Sequence, residues 1–392
     1  MLPENTLAWG RASSCIRELA AFGAMRKKAI GADKVFDFSI GNPSVPAPDC
    51  VNDSIAELIK GDSLALHSYT PAAGLPSLRE KIAEDLNLRF GLNVDGNNLY
   101  VTCGAAASIA ISLKAILLDG EEVIAPAPFF PEYRVFTEAC GGVLKSVAPR
   151  EDMQIDLKGI KKALSDKTKA VIINSPNNPS GAIFDEENLR GLAAILKEHS
   201  EKSGNTVYII SDEPYRELVY TDEVCHSVIE FYDDTIMCYS FSKSLSIPGE
   251  RIGYIAVSDR MQSGREVYDS ILGAGRCLGY VNPPGLFQQV IERCIGRTSD
   301  VEKYRDNKEL LCRGLSELGY TFVEPKGAFY LFVKALEPDA KAFSERAKKH
   351  ELLLVPSNDF GCTGYVRVAY CVSKETIVNS MPAFKALMES YE

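Results

Sequence analysis

Between residues 97 and 260 the chain alternates short apolar runs rich in β-branched side chains with longer stretches whose apolar positions recur at helical spacing. The runs 99–103, 122–125, 169–174, 206–211, 235–240 and 254–257 predict strands, and 105–118, 131–139 and 185–202 predict helices between them. Strands that alternate with helices imply an α/β layer around a mostly parallel sheet, and such sheets hold ligands beyond the carboxyl ends of their strands. After about residue 280 the texture changes. Asn282-Pro283-Pro284-Gly285 breaks the pattern, helical stretches follow at 286–296 and 302–318, and β-rich pieces at 330–333, 352–355 and 366–370 complete a smaller α+β domain.

With 392 residues, 46% hydrophobic and 24% charged, the chain has room for a large core and a second domain. A net charge of -10, without a run of five or more lysines or arginines, argues against a nucleic-acid surface. Met1-Leu2-Pro3-Glu4-Asn5-Thr6 has no secretory pattern, and no apolar run is long enough to span a bilayer. The eleven cysteines form no Cys-x-x-Cys pair and are odd in number, so free thiols in a reducing cytoplasm are expected. The four histidines match no zinc spacing, and no metal is expected.

The chemistry sits in polar motifs that directly follow strand runs. Ser240-Phe241-Ser242-Lys243 sets two hydroxyls before a lysine, with Arg251 eight residues beyond it. Hydroxyls and a guanidinium fork clamp phosphate, the company needed by a lysine that forms a Schiff base with pyridoxal phosphate; a solvated surface lysine is the ordinary alternative. Ser211-Asp212-Glu213-Pro214-Tyr215 puts an acid at a strand end. Buried there it needs a cation or donor, such as a protonated pyridine nitrogen, unless it caps a helix. Tyr215 could donate to the phenolic oxygen of the same ring. Thr102-Cys103-Gly104-Ala105-Ala106-Ala107-Ser108 is a strand–turn–helix junction of tiny residues, suited to phosphate on backbone N–H groups or simply to a tight turn. Phe130 could stack on a pyridine face or pack in the core. Arg367, alone in the apolar run Tyr365-Val366-Arg367-Val368-Ala369-Tyr370, requires an anion: an amino acid's α-carboxylate or a structural partner. Asn174-Ser175-Pro176-Asn177-Asn178-Pro179-Ser180-Gly181 reads, on turn chemistry alone, as a rigid loop.

These motifs, with Phe38-Ser39-Ile40-Gly41-Asn42-Pro43 and His67-Ser68-Tyr69-Thr70-Pro71-Ala72-Ala73-Gly74, run in order over residues 38–370. Together they resemble the class I/II aminotransferases, the aspartate aminotransferase-like enzymes of pyridoxal-phosphate fold-type I. The resemblance implies a mixed, mainly parallel sheet in a large cofactor-binding domain at 45–280, and a smaller α+β domain from 1–44 and 281–392. It implies transfer of an amino group from an L-amino acid to a 2-oxo acid by a ping-pong mechanism, with Lys243 as Schiff-base lysine and Asp212 and Tyr215 as its catalytic partners. Asn178 becomes an amide facing cofactor and substrate. Phe130 stacks on the ring, and Ser240, Arg251 and the backbone of Ala105 and Ala106 hold the phosphate. Gly41 and Arg367 face the substrate. Tyr69 reaches the phosphate of a neighbouring subunit, which makes the protein a homodimer.

Departures from the family pattern affect details. Ala105 and Ala106 stand where some relatives carry hydroxyls, so phosphate contacts there rest on backbone. Phe130 replaces the tryptophan of many aspartate-specific members, so an aspartate donor does not follow; Arg276 is a tempting binder for a side-chain carboxylate. The same lysine, aspartate and arginine would also serve a carbon–sulfur β-lyase or a cyclopropane-carboxylate synthase. A nucleotide-dependent transferase with its phosphate loop at 104–108 has neither a Gly-x-Gly-x-x-Gly nor a Walker lysine behind it. A regulator's sensor module would carry a DNA-binding segment, for which the roughly forty residues before the Gly41 loop leave no room.

Overall fold

A computed structural model describes residues 2–11, 15–222 and 224–391. Its strands in chain order are β1 Phe36–Asp37, β2 Leu99–Thr102, β3 Glu122–Pro126, β4 Val143–Val147, β5 Thr168–Asn174, β6 Tyr208–Asp212, β7 Thr235–Ser240, β8 Gly253–Val257, β9 Phe322–Val323, β10 Tyr330–Lys334, β11 Leu352–Leu353, β12 Val355–Pro356 and β13 Tyr365–Ala369. Seven form one sheet in the order β2-β8-β7-β6-β5-β3-β4. β8 runs antiparallel to both its neighbours and every other pair is parallel, which is the mixed, mainly parallel sheet expected.

The middle strands carry apolar residues on both faces because helices cover both. Ile172 of β5 and Ile210 of β6 pack with Ile109, Leu113 and Ile271, from helices Ala105–Ile116 and Gly264–Leu278. Val171, Ile173 and Ile209 face the other way, against Leu189, Leu192 and Leu196 of helix Glu186–Ser203. That helix starts where the Asp185 side chain accepts from the Asn188 N–H and stops at Gly204, whose φ of 71° suits glycine. Beside the sheet, β12-β13-β10-β9 form an antiparallel unit over a core that includes Phe329, Phe343 and Phe384.

The structure adds elements that the pattern did not predict, among them β4 and helix Gly264–Leu278. It also splits the run 352–355: β11 pairs with β1, β12 pairs with β13, and Leu354 lies between them. Helix Gly285–Cys294 packs Val290, Ile291 and Cys294 with Leu78, Ile82 and Leu86. On that packing we propose a domain edge after Cys294 rather than at 280, with the division otherwise as the resemblance implies. Among the described residues no helix is long and apolar enough to cross a membrane.

Leu192 is fully buried under the sheet and Leu118 is 71% exposed. Leu192→Ala should cost about 2–5 kcal/mol and Leu118→Ala no more than about 0.5 kcal/mol. Denaturant unfolding checks this, and equal losses would contradict the packing described.

Candidate active site

Three central strands end in polar side chains at one place: Asn174 closes β5, Asp212 closes β6 and Ser240 closes β7. Beyond them opens a cavity of about 300 Å³. Of the residues expected to form a site, Gly41, Ala105, Ala106, Phe130, Asn178, Asp212, Tyr215, Ser240, Lys243, Arg251 and Arg367 all line it. Tyr69 does not; it is fully exposed. Arg276 also lies off this wall, exposed on the last turn of helix Gly264–Leu278. Ser242, the second of the two hydroxyls before the lysine, also lines it, and Asn174, Tyr330, Ile16 and Ile109 join without having been singled out in the sequence.

Asp212 is buried. Its Oδ2 accepts from the Tyr133 hydroxyl and the Asn174 side chain donates to its backbone carbonyl at 2.8 Å, which together fix the carboxylate. Its Oδ1 is buried without a partner. Burial therefore pushes the Asp212 carboxyl up to about 7; the Tyr133 bond opposes this and the neighbouring Glu213 charge adds to it.

Lys243 sits in the single turn Phe241–Ser244, which starts where the Ser240 hydroxyl accepts from the Ser242 N–H. Its Nζ donates to the Gly41 carbonyl at 2.9 Å. Burial pulls the amine down to about 8, and the Arg251 and Arg367 charges act in the same sense. Arg251 turns back through a left-handed backbone, φ 51°, so that Nη1 donates to the Ser242 hydroxyl at 3.3 Å and the Pro248 carbonyl at 2.9 Å. A β carbon on Gly104, itself at φ 90°, would lie 2.9 Å from Arg251 Nη2. The helix that follows begins at Ala105 with no side-chain cap, so its first N–H groups are open to an anion. Hydroxyls, guanidinium and helix start thus converge around one spot.

Across the cavity Arg367 is buried, with Nη1 donating to Asn178 Oδ1 at 3.1 Å and Nη2 to the Ser39 carbonyl at 2.7 Å. Its Nε is buried and unpartnered. Tyr215 and Tyr330 bring their hydroxyls within 3.0 Å of each other, and burial raises both phenols, Tyr330 to about 12. Phe130 is half-buried and meets Tyr133 edge-on at 5.7 Å. Among the described residues no three His, Cys, Asp or Glu side chains gather to hold a metal.

Residues 33–381 match the family described as Aminotransferase class I and II. The chain belongs to that family. An aminotransferase crystal structure from Eubacterium rectale is similar at TM-score 0.97 and 47% identity, covering 100% of this chain and 99% of that one. The aspartate aminotransferase of Thermus thermophilus with maleate is similar at TM-score 0.87 and 27% identity, with 99% of each chain covered. A probable aspartate aminotransferase of Methanocaldococcus jannaschii is 30% identical over 362 residues, 87% of this chain and 94% of that protein. This aminotransferase is therefore an enzyme, a transferase, with the α/β architecture of its relatives.

Asp212 gives a pH prediction for the aminotransferase freed of bound small molecules. Its folded value of about 7 lies above the ordinary carboxyl value of ~3.9, so between them the folded chain holds a proton that the unfolded chain gives up. Stability from this group is present at low pH and lost as pH rises toward 7 and above. Asp212→Asn should accordingly melt higher than wild type near about pH 8, and this advantage should shrink toward about pH 4. Melting curves check the difference; an advantage independent of pH would contradict it.

Proposed function

We propose that this chain is a pyridoxal-phosphate-dependent aminotransferase that moves an amino group from an L-amino acid to a 2-oxo acid by a ping-pong route, with Lys243 as the Schiff-base lysine. The observation that carries this reading is a pair of buried, unpartnered atoms of opposite kind in one cavity: the acceptor Asp212 Oδ1 and the donor Arg367 Nε. A buried charged group left unpaired is costly, and each fits a different part of the proposed chemistry. Oδ1 matches a protonated pyridine nitrogen, and Nε matches an α-carboxylate.

The remaining residues fit the same cofactor. Ser240, Ser242, Arg251 and the open N–H groups at Ala105 and Ala106 would hold its phosphate. Tyr215 would donate to its phenolic oxygen. So would the Asn178 amide, whose Oδ1 is already taken by Arg367. Phe130 would cover the ring. Bound, the cofactor supplies an electron sink for the pair left behind when the α-hydrogen departs as a proton.

The chain's own residues do the rest. Arg367 anchors the α-carboxylate, and Gly41, without a side chain, leaves room beside it. Lys243 Nζ, whose pKa burial lowers to about 8, takes the proton from the α-carbon once it is in its neutral form. Donor and acceptor both need the one Arg367 fork, so they must bind in turn, which supports ping-pong kinetics. Tyr69, exposed on its own subunit, is proposed to reach the phosphate site of a second copy in a homodimer. All eleven cysteines are free, in keeping with a cytoplasmic enzyme.

The test is the visible absorbance of the loaded enzyme mixed with single amino acids and no oxo acid. Bleaching, with one oxo acid formed per site, is expected, and the fastest donor names the substrate class. A persistent band with continuous ammonia release would contradict transamination and indicate β-elimination. Lys243→Ala should retain some cofactor yet lose at least about 10²–10⁴-fold in turnover. Wild-type turnover in that variant would overturn the assignment of Lys243.

A further inference from the structure

Tyr330 touches three groups with three different jobs. Its hydroxyl lies 3.0 Å from that of Tyr215. Its ring lies under the Arg367 guanidinium, 4.6 Å from the guanidinium carbon to the ring centroid. A β carbon at Gly41 would come within 1.9 Å of its hydroxyl, so the glycine keeps that space open. The side chain is buried on β10, and Tyr215 stands edge-on to it at 5.7 Å and to Phe329 at 5.5 Å, which leaves the Tyr215 ring little freedom to turn.

We propose that Tyr330 is a positioning residue: its hydroxyl donates to the Tyr215 oxygen and so commits the Tyr215 proton to the cofactor's phenolic oxygen, while its ring steadies the Arg367 fork. This rests on the cofactor reading above. A phenol has one proton to give and two lone pairs to receive. Were Tyr215 the donor between the two hydroxyls, its proton would be spent and it would present only lone pairs to an anionic oxygen. The distance between the hydroxyls allows either to donate, and the Arg367 charge over the Tyr330 ring, by favouring loss of that phenol's proton, favours Tyr330 as the donor. A hydroxyl that already accepts one hydrogen bond donates more strongly to the next, so the pair acts as a relay. The relay also joins the group that holds the substrate's carboxylate to the group that tunes the cofactor's oxygen.

The experiment follows the visible absorbance of the cofactor-loaded, substrate-free protein against pH. Donation to the phenolic oxygen favours its anionic form, so weakening Tyr215 as a donor should raise the titration midpoint. Tyr330→Phe, which keeps the ring and removes only the hydroxyl, should raise it by roughly half a unit to one unit. In a Tyr215→Phe background the same change should add nothing, because the relay has already lost its last member. Tyr330→Leu, which also removes the ring, should raise KM for both substrates more than Tyr330→Phe does. An unmoved midpoint in Tyr330→Phe, with or without a lower melting temperature, would mark a purely structural hydroxyl and overturn the proposal. Shifts that simply add in the double variant would overturn it too. A wild-type protein with no pH-dependent visible band would instead overturn the cofactor reading, and this inference with it.

Discussion

A carboxylate sealed into a dry wall sets the terms for the rest of this structure. Asp212 ends the central strand β6, buried, with Tyr133 and Asn174 holding it from one side and nothing meeting Oδ1. Leaving such an atom unsatisfied works against folding, and proteins tolerate this mainly where a ligand supplies the missing partner. The loop after β5 is built to keep this geometry. Asn174 donates to the Asp212 carbonyl, its Oδ1 accepts the Asn178 N–H at 2.6 Å, and Asn178 reaches Arg367. One chain of hydrogen bonds therefore links the two ends of the cavity.

The two ends have opposite character. At one, the acceptor Asp212 Oδ1 is buried without a partner; at the other, so is the donor Arg367 Nε. Lys243 lies in the same wall, and burial with two nearby guanidinium charges makes its extra proton unwelcome.

Much of this was legible in the sequence, for physical reasons. The central strands are buried on both faces and read as continuous apolar runs, and their ends carry polar motifs because parallel sheets expose their carboxyl ends. What was missed had weak local signals. β4 lies at the sheet edge, where Val143 is exposed and the alternation is short. Helix Gly264–Leu278 contains Gly273 and Gly275, which weaken its helical reading. Gly275 is required by packing, since a β carbon there would fall 2.2 Å from the Tyr100 hydroxyl. Tyr330 sits among Ala328, Phe329, Leu331 and Phe332, where it looks like one more core aromatic; only its pairing with Tyr215, 115 residues away, reveals another role. Tyr133, likewise, reads as an ordinary helix residue until β6 brings Asp212 to it. The place proposed for Tyr69, at the phosphate site of a second copy, lies outside the geometry of one chain.

The central claim is that Lys243, and no other lysine, bonds to the cofactor. The most direct measurement is to load the protein with pyridoxal phosphate, reduce it with borohydride, digest it and locate the modified lysine by mass spectrometry. The account predicts that the reduced adduct lies on Lys243 and that adding a reactive amino acid before the borohydride removes it. An adduct on a different lysine, or none in a protein that still transfers amino groups, would contradict it.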